Sequence, residues 1–537
     1  MARENPKPAD EARVVVIGAG PVGCVLALEL ARHGVPSTVV DRLPQASRHP
    51  KMDYVSARSM ELLRRLGLGE ELRSLGVPAN HPFTFLWMDK FADGPLSTWT
   101  YDSPAVLAAR MAAVNDGSMP REPYLRVIGS RLEEVCRSRC RQHPLIEFLE
   151  DRVLTGFTED AAGVTAELAP ASGDGTTEQI RGRFLVGCDG AGSTVRRLLD
   201  IGLDDLGPRA MHQDVYFRST DPALRSHGPF FLAIAARGLT LVSRDGDQTW
   251  TGTYPLLSPE DADRDPVEVV RERLGLELKI DEVLTTARWE GRLTVADSYR
   301  KGSVFLAGDA AHQFFPTGGH GANTGLGDAI DLGWKLAAAL HGWGGPTLLD
   351  SYEAERRPTA LFNREMCFNL FEVWRRFPVL HAVGADREQL AGFLDQERYQ
   401  TSNLGIHFGV RYAGSPVLPP ADGPAAPWDW ARITPAVRPG LRLPSLRLAD
   451  GAEVFDLLGP GFTLLDSSGS HAGKPLAQEA ERLGLPLLRL PVADAAARRL
   501  WGRDLVLVRP DQHVAWLGDS SPADCGRLLR LVAGNAN

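Results

Sequence analysis

Basic residues are in short supply. Over 537 residues, 59 Lys and Arg stand against 68 Asp and Glu, a formal net charge of −9. Binding to nucleic acid needs clustered cations for the phosphates. The short basic runs Arg375-Arg376 and Arg498-Arg499 form no stripe alternating with aromatics, so no nucleic-acid partner is expected. Cysteine is scarce too. There are six, only Cys136 and Cys140 are close, and no C-x-x-C pair occurs. That pattern predicts structural thiols in a reduced, cytoplasmic protein. No unbroken apolar stretch of about 18 residues occurs, so no transmembrane helix and no membrane partner are expected. Met1 to Ala12 is polar and predicts no signal peptide. The triphosphate-binding pattern G-x-x-x-x-G-K-[ST] is missing. Asp309, His312 and His320 share a loop region at a spacing that matches no zinc pattern, and no metal is expected.

What is present is an ordinary globular composition, 43% hydrophobic and 24% charged, on a chain long enough for two or three domains. Val14-Val15-Val16-Ile17 reads as a strand buried on both faces, Pro21 to His33 as a helix stopped by Gly34, and Thr38-Val39-Val40 as a second strand. Together they make a βαβ unit. From Leu145 to Val186 the runs Ile146–Phe148, Val153–Phe157, Val164–Leu168 and Phe184–Val186 predict a meander, and residues 208–256 a separate antiparallel sheet. Val304–Ala307 is another buried strand, leading through glycines to a helix expected from Asp328 to Leu340. Ser415 to Trp428 reads as a linker or surface loop, and residues from about 405 onward as a further α/β domain.

The first motif with chemical content is Gly18-Ala19-Gly20-Pro21-Val22-Gly23, a G-x-G-x-x-G between strand and helix. Gly18 permits the tight turn, Gly20 lets a pyrophosphate approach, and Gly23 lets helix and strand pack closely. The helix N-terminus offers N–H donors to phosphate, and Asp41, ending the second strand, offers a carboxylate to ribose hydroxyls. Two later blocks narrow the dinucleotide. One is Gly187-Cys188-Asp189-Gly190-Ala191-Gly192-Ser193-Thr194-Val195-Arg196. The other is Gly308-Asp309-Ala310-Ala311-His312 with Pro316-Thr317-Gly318-Gly319-His320-Gly321-Ala322-Asn323. Asp309 at a strand end can accept from a ribityl or ribose hydroxyl. Glycines at a helix start expose N–H groups to a flavin's pyrimidine edge.

These three blocks, in this order and spacing, resemble the single-component FAD-dependent aromatic hydroxylases of the p-hydroxybenzoate hydroxylase fold. The resemblance covers roughly residues 12 to 380, including Asp328–Leu336 and Tyr352–Pro358. It implies an α/β architecture: a Rossmann-type FAD-binding domain, an antiparallel-sheet substrate domain and a C-terminal thioredoxin-like α/β domain. The corresponding boundaries are 1–75, 119–190 and 290–400 for FAD, 76–118 and 191–289 for substrate, and 405–537 for the last. Residues 439–466 and 507–516 resemble the thioredoxin-like domain of the larger phenol and polyketide hydroxylases. With only Cys525 there, dithiol exchange is not expected, and a packing or homodimerisation role is.

The same resemblance implies FAD as cofactor, NADPH or NADH as co-substrate, and O2 and a small aromatic molecule as the reacting partners. The oxygen passes through a flavin C4a-hydroperoxide to a phenolic or polycyclic polyketide-like ring. Expected cofactor contacts are Gly18, Gly20, Pro21, Gly23, Asp41, Arg42, Lys51, Arg126, Asp189, Gly308, Asp309, Pro316, Gly318, Gly319, Gly321, Ala322 and Asn323. Pro316 stands beside the reacting edge of the flavin, and Arg42 faces either the nicotinamide cofactor's phosphate or a surface salt bridge. Departures from the family pattern are Gly129 in place of a Gln, Asp41 for Glu, Lys51 for Arg, and His320 for Gln or Lys. His320 is a catalytic candidate, by donating to the flavin or, if protonated, by stabilising negative charge; the alternative is a loop histidine facing solvent or a carbonyl. Tyr216, Phe230, Phe231, Trp250 and Tyr254 are candidates for lining the substrate pocket. Baeyer–Villiger, epoxidising and antibiotic-inactivating oxygenases share the fold and stay open as alternatives, as does an FAD protein that has lost oxygenation.

Overall fold

A computed structural model describes residues 13–49, 52–207, 209–401, 404–420 and 428–535. Lys51, the polar N-terminus and much of the expected linker at 415–428 fall outside these.

Three sheets matter for function. The first has six strands in the order Arg300–Lys301, Val304–Leu306, Phe184–Gly187, Val14–Ile17, Ser37–Val40, Ile146–Leu149. All neighbours but the first pair run parallel. The continuous apolar runs follow from this, because a parallel sheet covered on both faces has no polar side. Val14, Val15 and Val16 are fully buried, with the helix Pro21–Arg32 on one side. This corrects the meander expected over 145–186. Ile146–Leu149 and Phe184–Gly187 belong to the parallel sheet, and only 152–182 form an antiparallel meander. Short apolar runs do not say which sheet a strand joins; partners far away in sequence decide.

The second sheet has seven strands, ordered Glu282–Gly291, Ala210–Arg218, Thr249–Pro255, Leu239–Ser243, Leu232–Ala235, Phe83–Met88, Ser97–Tyr101. One face carries Val215, Phe217, Phe230, Ala233, Leu241, Trp250 and Tyr254, and packs on the helix Pro266–Leu274. The alternate residues turn to the opposite face, where Phe85, Trp87, Phe231 and Val242 pack with Val373 and Phe377 of the long helix Pro346–Ala382. The period-2 rule therefore splits the expected substrate-lining set. Phe230, Trp250 and Tyr254 are structural core against a helix. Tyr216 and Phe231 lie on the other face.

The third sheet orders Leu487–Pro491, Phe462–Asp466, Leu505–Val508, Val514–Gly518, with helices Lys474–Arg482, Ala495–Trp501 and Cys525–Val532. Its core is shared. Phe462, Leu464 and Leu529 cluster with Trp334 and Leu348 of the helices His320–Leu340 and Pro346–Ala382. Docking is completed by buried ions: Arg509 to Glu355 and Asp331, Lys335 to Asp331 and Glu355, and Arg442 to Glu61. Among the described residues no helix is long and apolar enough to cross a membrane.

Candidate active site

The glycine turn after Val14–Ile17 is shaped by what it must avoid. Gly18 has φ +107°, and a Cβ there would stand 2.3 Å from the Cys188 carbonyl oxygen. A Cβ on Gly23 would stand 1.9 Å from the Gly18 oxygen. At Gly20 the same test meets nothing within 4 Å. Two glycines are thus needed by the fold, and one faces open space at the start of Pro21–Arg32. That helix has no side-chain cap and no acidic residue in its first turn, so its N–H groups and positive dipole end are available to phosphate. This is the cradle a dinucleotide pyrophosphate requires.

Asp41 is held in place by Ala19 N–H, which donates to Oδ2 at 2.6 Å, and Leu43 N–H, which donates to Oδ1 at 2.8 Å. A carboxylate has about four acceptor sites, so capacity remains for a ribose. Arg42 is exposed. Asp189, an expected cofactor contact, shapes the backbone here. Its oxygens accept from Ser193 Oγ at 2.5 Å, Thr194 N at 2.7 Å and Val195 N at 3.1 Å, which builds the loop and starts the helix Thr194–Leu198. Arg196 then donates to the carbonyl of Ala310 at 2.9 Å and joins this loop to the Gly308 turn.

Gly308 has φ +61° and lies against Val22 of the first helix. Asp309 beside it is exposed, as a ribityl contact requires. The turn is anchored from behind. Asp328 accepts from Gly308 N at 3.2 Å, pairs with His312 Nε2 at 2.8 Å, and accepts from Arg356 Nε at 2.8 Å. Asp328 is fully buried; burial pushes its carboxyl up, while Arg356 and His312 outweigh that and hold it below the usual range.

Pro316 is exposed, and Gly318 and Gly319 take φ of +77° and +68° just before the helix His320–Leu340. This helix starts eight residues before the expected Asp328. It also lacks a side-chain cap, so N–H groups of His320, Gly321 and Ala322 are presented at a dipole end suited to the electron-rich edge of a flavin. Asn323 serves this turn indirectly. Its Nδ2 donates to Gly319 O at 2.6 Å and Tyr54 O at 3.1 Å, and its Oδ1 accepts from Ser56 N at 2.8 Å. The segment 53–56 is thereby clamped to the turn, and a Cβ on Gly319 would meet the Tyr54 ring at 2.8 Å.

His320 is neither a solvent-facing loop residue nor a cation. It is 2% exposed, and burial lowers its pKa to about 4, so it is neutral near pH 7. A Cβ on Gly318 would meet its Nε2 at 2.4 Å, which places that nitrogen directly beside the turn.

Residues that sequence reasoning missed join three that it named, Arg126, Tyr216 and Phe231, between this turn and the seven-stranded sheet. Asp53 pairs with Arg244, whose Nε donates to Thr251 Oγ1 at 2.8 Å. Arg126, expected to touch cofactor, turns toward the sheet. It donates to the Ser243 carbonyl, lies 4.1 Å over the Phe231 ring, and burial lowers its pKa to about 10. Tyr54, Phe83, Tyr124 and Phe231 form one aromatic wall, with Phe83 stacked on Phe231 at 5.1 Å and on Tyr54 at 5.7 Å. Further along the same sheet face, His49 Nε2 lies 2.8 Å from Asp214 Oδ2 and its ring stands edge-on to Tyr216. His212 stacks on Trp289 at 4.4 Å and meets Phe315, the neighbour of Pro316, at 5.9 Å. None of these pairs is close in sequence, so no local pattern signals them.

A pyrophosphate cradle, a glycine turn for a flavin's polar edge and an aromatic-walled sheet facing that turn define a flavin-dependent oxidoreductase. Residues 11–363 match the FAD-binding domain family, residues 436–536 match the C-terminal domain of aromatic-ring hydroxylases, and the chain belongs to this family of FAD-dependent aromatic-ring hydroxylases. It is similar to FAD-dependent monooxygenase apdD of Emericella nidulans, 35% identical over 97% of this chain and 90% of that one. Among solved structures, native and K252c-bound RebC-10x superposes with a TM-score of 0.86 at 32% identity, covering 98% of this chain and 99% of that one. Aklavinone-11 hydroxylase in ternary complex with FAD and aklavinone gives a TM-score of 0.81 at 28% identity, covering 98% and 99%. The protein is an FAD-dependent monooxygenase of aromatic compounds that draws on NAD(P)H.

Proposed function

We propose that the chain hydroxylates a phenolic, multi-ring aromatic substrate held between the Gly318–Gly319 turn and the inner face of the seven-stranded sheet. When bound, FAD supplies the redox chemistry, taking a hydride from NAD(P)H and delivering one oxygen atom of O2 to the ring. The glycine residues 18, 20 and 23 with Pro21 hold the pyrophosphate, Asp41 the ribose and Asp309 the ribityl chain. Backbone N–H groups from Gly318 to Ala322 hold the pyrimidine edge. Arg42, exposed just after the ribose-binding acid, remains the candidate for the nicotinamide cofactor's phosphate.

The observation that carries the substrate reading is Asp53. This carboxylate sits in the segment clamped to the glycine turn, ion-paired to Arg244, with Arg126 also close enough to act on it electrostatically. An acceptor beside the reacting edge is what a phenol needs, because drawing off its hydroxyl proton raises electron density at the ring carbon to be attacked. The paired arginine fixes the direction of the carboxylate through a charge-assisted hydrogen bond. The Tyr54–Phe83–Phe231 wall and Tyr216 offer flat apolar surfaces to a ring system. The names of relatives that act on aromatic polyketide-type compounds, aklavinone hydroxylase among them, support a large substrate. Six cysteines without a disulfide support a reduced, cytoplasmic setting.

The test is turnover of purified holoenzyme with NADH or NADPH over a panel of simple phenols and polycyclic phenols, with products read by mass and NMR. A product bearing one new phenolic hydroxyl is expected. An expanded lactone ring or an epoxide instead would replace hydroxylation by one of the alternative oxygenations. NAD(P)H consumption that yields only peroxide with every compound would sink the substrate reading.

A further inference from the structure

Behind the glycine turn lies a second polar space that the hydroxylase chemistry above does not use. A cavity of about 40 Å3 sits where the helices Ala57–Arg65, His320–Leu340 and Pro346–Ala382 meet the C-terminal domain. By volume it has room for two or three waters. Asn363, Thr324, His407, Tyr412, Asp511 and His513 are among its walls.

Its charged walls are already matched. Arg356 pairs with Asp328, Arg442 and Arg58 with Glu61, and Asp511 with Arg509. Every charged wall has an ion-pair partner, with Glu61 serving two arginines, and the atoms left over are neutral, so the ligand chemistry is that of a neutral hydrogen-bonding molecule. Neutral polar atoms, in contrast, are left over. Asn363 Oδ1 and His407 Nε2 are buried and have no hydrogen-bond partner among the described residues, nor has His320 Nδ1 close by. Leaving such groups unsatisfied costs about 1–3 kcal/mol each, so water is drawn to them.

The residues that carry these atoms are also neighbours. The His407 and His320 rings are 5.2 Å apart, centroid to centroid. Thr324 Oγ1 donates to the His320 carbonyl at 2.8 Å and accepts from Asn363 Nδ2 at 2.8 Å. Across the cavity the His513 ring lies 4.3 Å from Tyr412 and 3.3 Å, through Nδ1, from Asp511 Oδ2. His320 points both ways: Nε2 abuts Gly318 on the flavin side, and Nδ1 is the unpartnered nitrogen.

We propose that this cavity is a water site serving as a proton relay, through which His407 and His320 pass a proton taken up from solvent toward the flavin turn. The inference rests on the assignment of Gly318–Gly319 to the flavin's edge. The overall reaction needs such a supply: aromatic C–H, NAD(P)H, O2 and one H+ become C–OH, NAD(P)+ and water. The C–H bond is replaced by C–O, the hydride is oxidised, O2 is reduced, and one proton is taken up from outside each turnover. His320 releases a proton from Nε2 toward the cradle and regains one at Nδ1 from a water bonded to His407 Nε2. Each imidazole ends neutral with its proton on the other nitrogen, and a ring flip restores the starting tautomer before the next turnover, a role open to a histidine whose burial keeps it uncharged.

Two measurements test this. The first is a high-resolution crystal structure of the full-length protein. Ordered water bonded to Asn363 Oδ1 and His407 Nε2 is expected, and a dry cavity overturns the proposal. The second compares wild type with His407→Phe and His407→Gln, reading FAD Kd by fluorescence and the proton inventory of reoxidation in H2O/D2O mixtures. FAD affinity within about threefold of wild type is expected, with proton-dependent reoxidation slowed at least about tenfold in the Phe variant. Partial recovery is expected with Gln, which can still bond to water. Unchanged reoxidation with FAD bound overturns the relay. So does a loss of FAD binding that accounts for the slowing, since it makes His407 a packing residue. If wild type itself binds FAD while substitutions at Gly318 and Gly319 leave the flavin spectrum untouched, the underlying cradle assignment fails separately.

Discussion

Arg509 of the C-terminal sheet donates from Nη1 to Glu355 Oε1 at 2.7 Å and from Nη2 to Glu355 Oε2 at 2.8 Å, with both side chains buried. Glu355 lies on the helix whose next residue, Arg356, anchors the Gly308 turn through Asp328. Burial alone pushes Glu355 up, but Arg509 and Lys335 prevail and hold its pKa at about 2. Removing Arg509 leaves a buried carboxylate short of a partner. Arg509→Met is expected to destabilise the protein by about 3–5 kcal/mol. Arg509→Lys is expected to recover only part of this, because the two-pronged geometry is lost. Thermal and urea unfolding of the apoprotein measure both.

The three glycines of the first turn separate folding from cofactor binding. Gly18→Ala and Gly23→Ala force contacts of 2.3 and 1.9 Å with backbone oxygens, so low soluble yield and low flavin content are expected together. Gly20→Ala meets no protein atom within 4 Å. Its apo Tm is expected to stay within about 2 °C of wild type, while FAD Kd rises at least about tenfold from crowding of the pyrophosphate. Equal loss of stability at all three positions would contradict this division.

Asp53→Asn removes the acceptor proposed for the substrate hydroxyl and keeps its size. FAD binding and reduction in the absence of substrate are expected to persist, while kcat for hydroxylation falls about 10²–10⁴-fold. The deficit should narrow at high pH, where the phenol ionises unaided. Stopped-flow absorbance with product quantification separates these steps.

His320 carries a pH signature of its own. Its pKa in the folded chain is about 4, below the value of 6.5 expected when unfolded, with burial as the cause, and His407 is shifted down in the same sense by burial and by His320. Between those values the unfolded chain binds more protons, so stability falls as pH drops from 6.5 toward 4 and is fully present above 6.5. His320 alone contributes about 3 kcal/mol across that window. Unfolding free energies measured from pH 7.5 to 4.5 should show this loss, and His320→Gln should flatten it. A parallel slope in the variant would assign the acid sensitivity to other groups.

The two faces of the seven-stranded sheet make opposite predictions for adjacent residues. Trp250→Ala opens a hole against the helix Pro266–Leu274 and is expected to cost about 3–5 kcal/mol in stability. Thr251, one residue on, holds Arg244 at 2.8 Å. Thr251→Val is expected to change stability by less than about 1.5 kcal/mol yet to raise substrate KM, read by steady-state kinetics on folded protein.

The cradle was legible because it is local. Gly18, Gly20 and Gly23 sit within one turn between a strand and a helix, and their spacing reports a backbone geometry that few other residues permit. The Gly308 to Asn323 block was legible for the same reason. Alternation along Thr249–Pro255 announces a strand but not which face looks to the helix, so Trp250 and Tyr254 are pocket candidates by sequence and core by structure. Asp53 with Arg244, and His49 with Asp214, join residues more than a hundred positions apart, and nothing beside either residue marks it. His320 was singled out as unusual, but its charge state depends on neighbours such as His407, whose contact comes from a distant segment.

The strand order of the parallel sheet sets a timetable for the ribosome. Val14–Ile17 is made before its neighbour Phe184–Gly187, which appears about 170 residues later, and that strand's other neighbour, Val304–Leu306, comes later still. The helix His320–Leu340, which closes on the first helix, comes after both. The nascent chain must therefore carry an open, apolar sheet edge while about 290 further residues are made, a state prone to pairing with the wrong strand. With the cradle as proposed, FAD has no complete seat until that helix has emerged, so cofactor supply acts late, capturing a finished cradle rather than templating it. Expression hosts that supply chaperones to cover that edge are the ones in which this chain should reach its flavin-loaded form most fully.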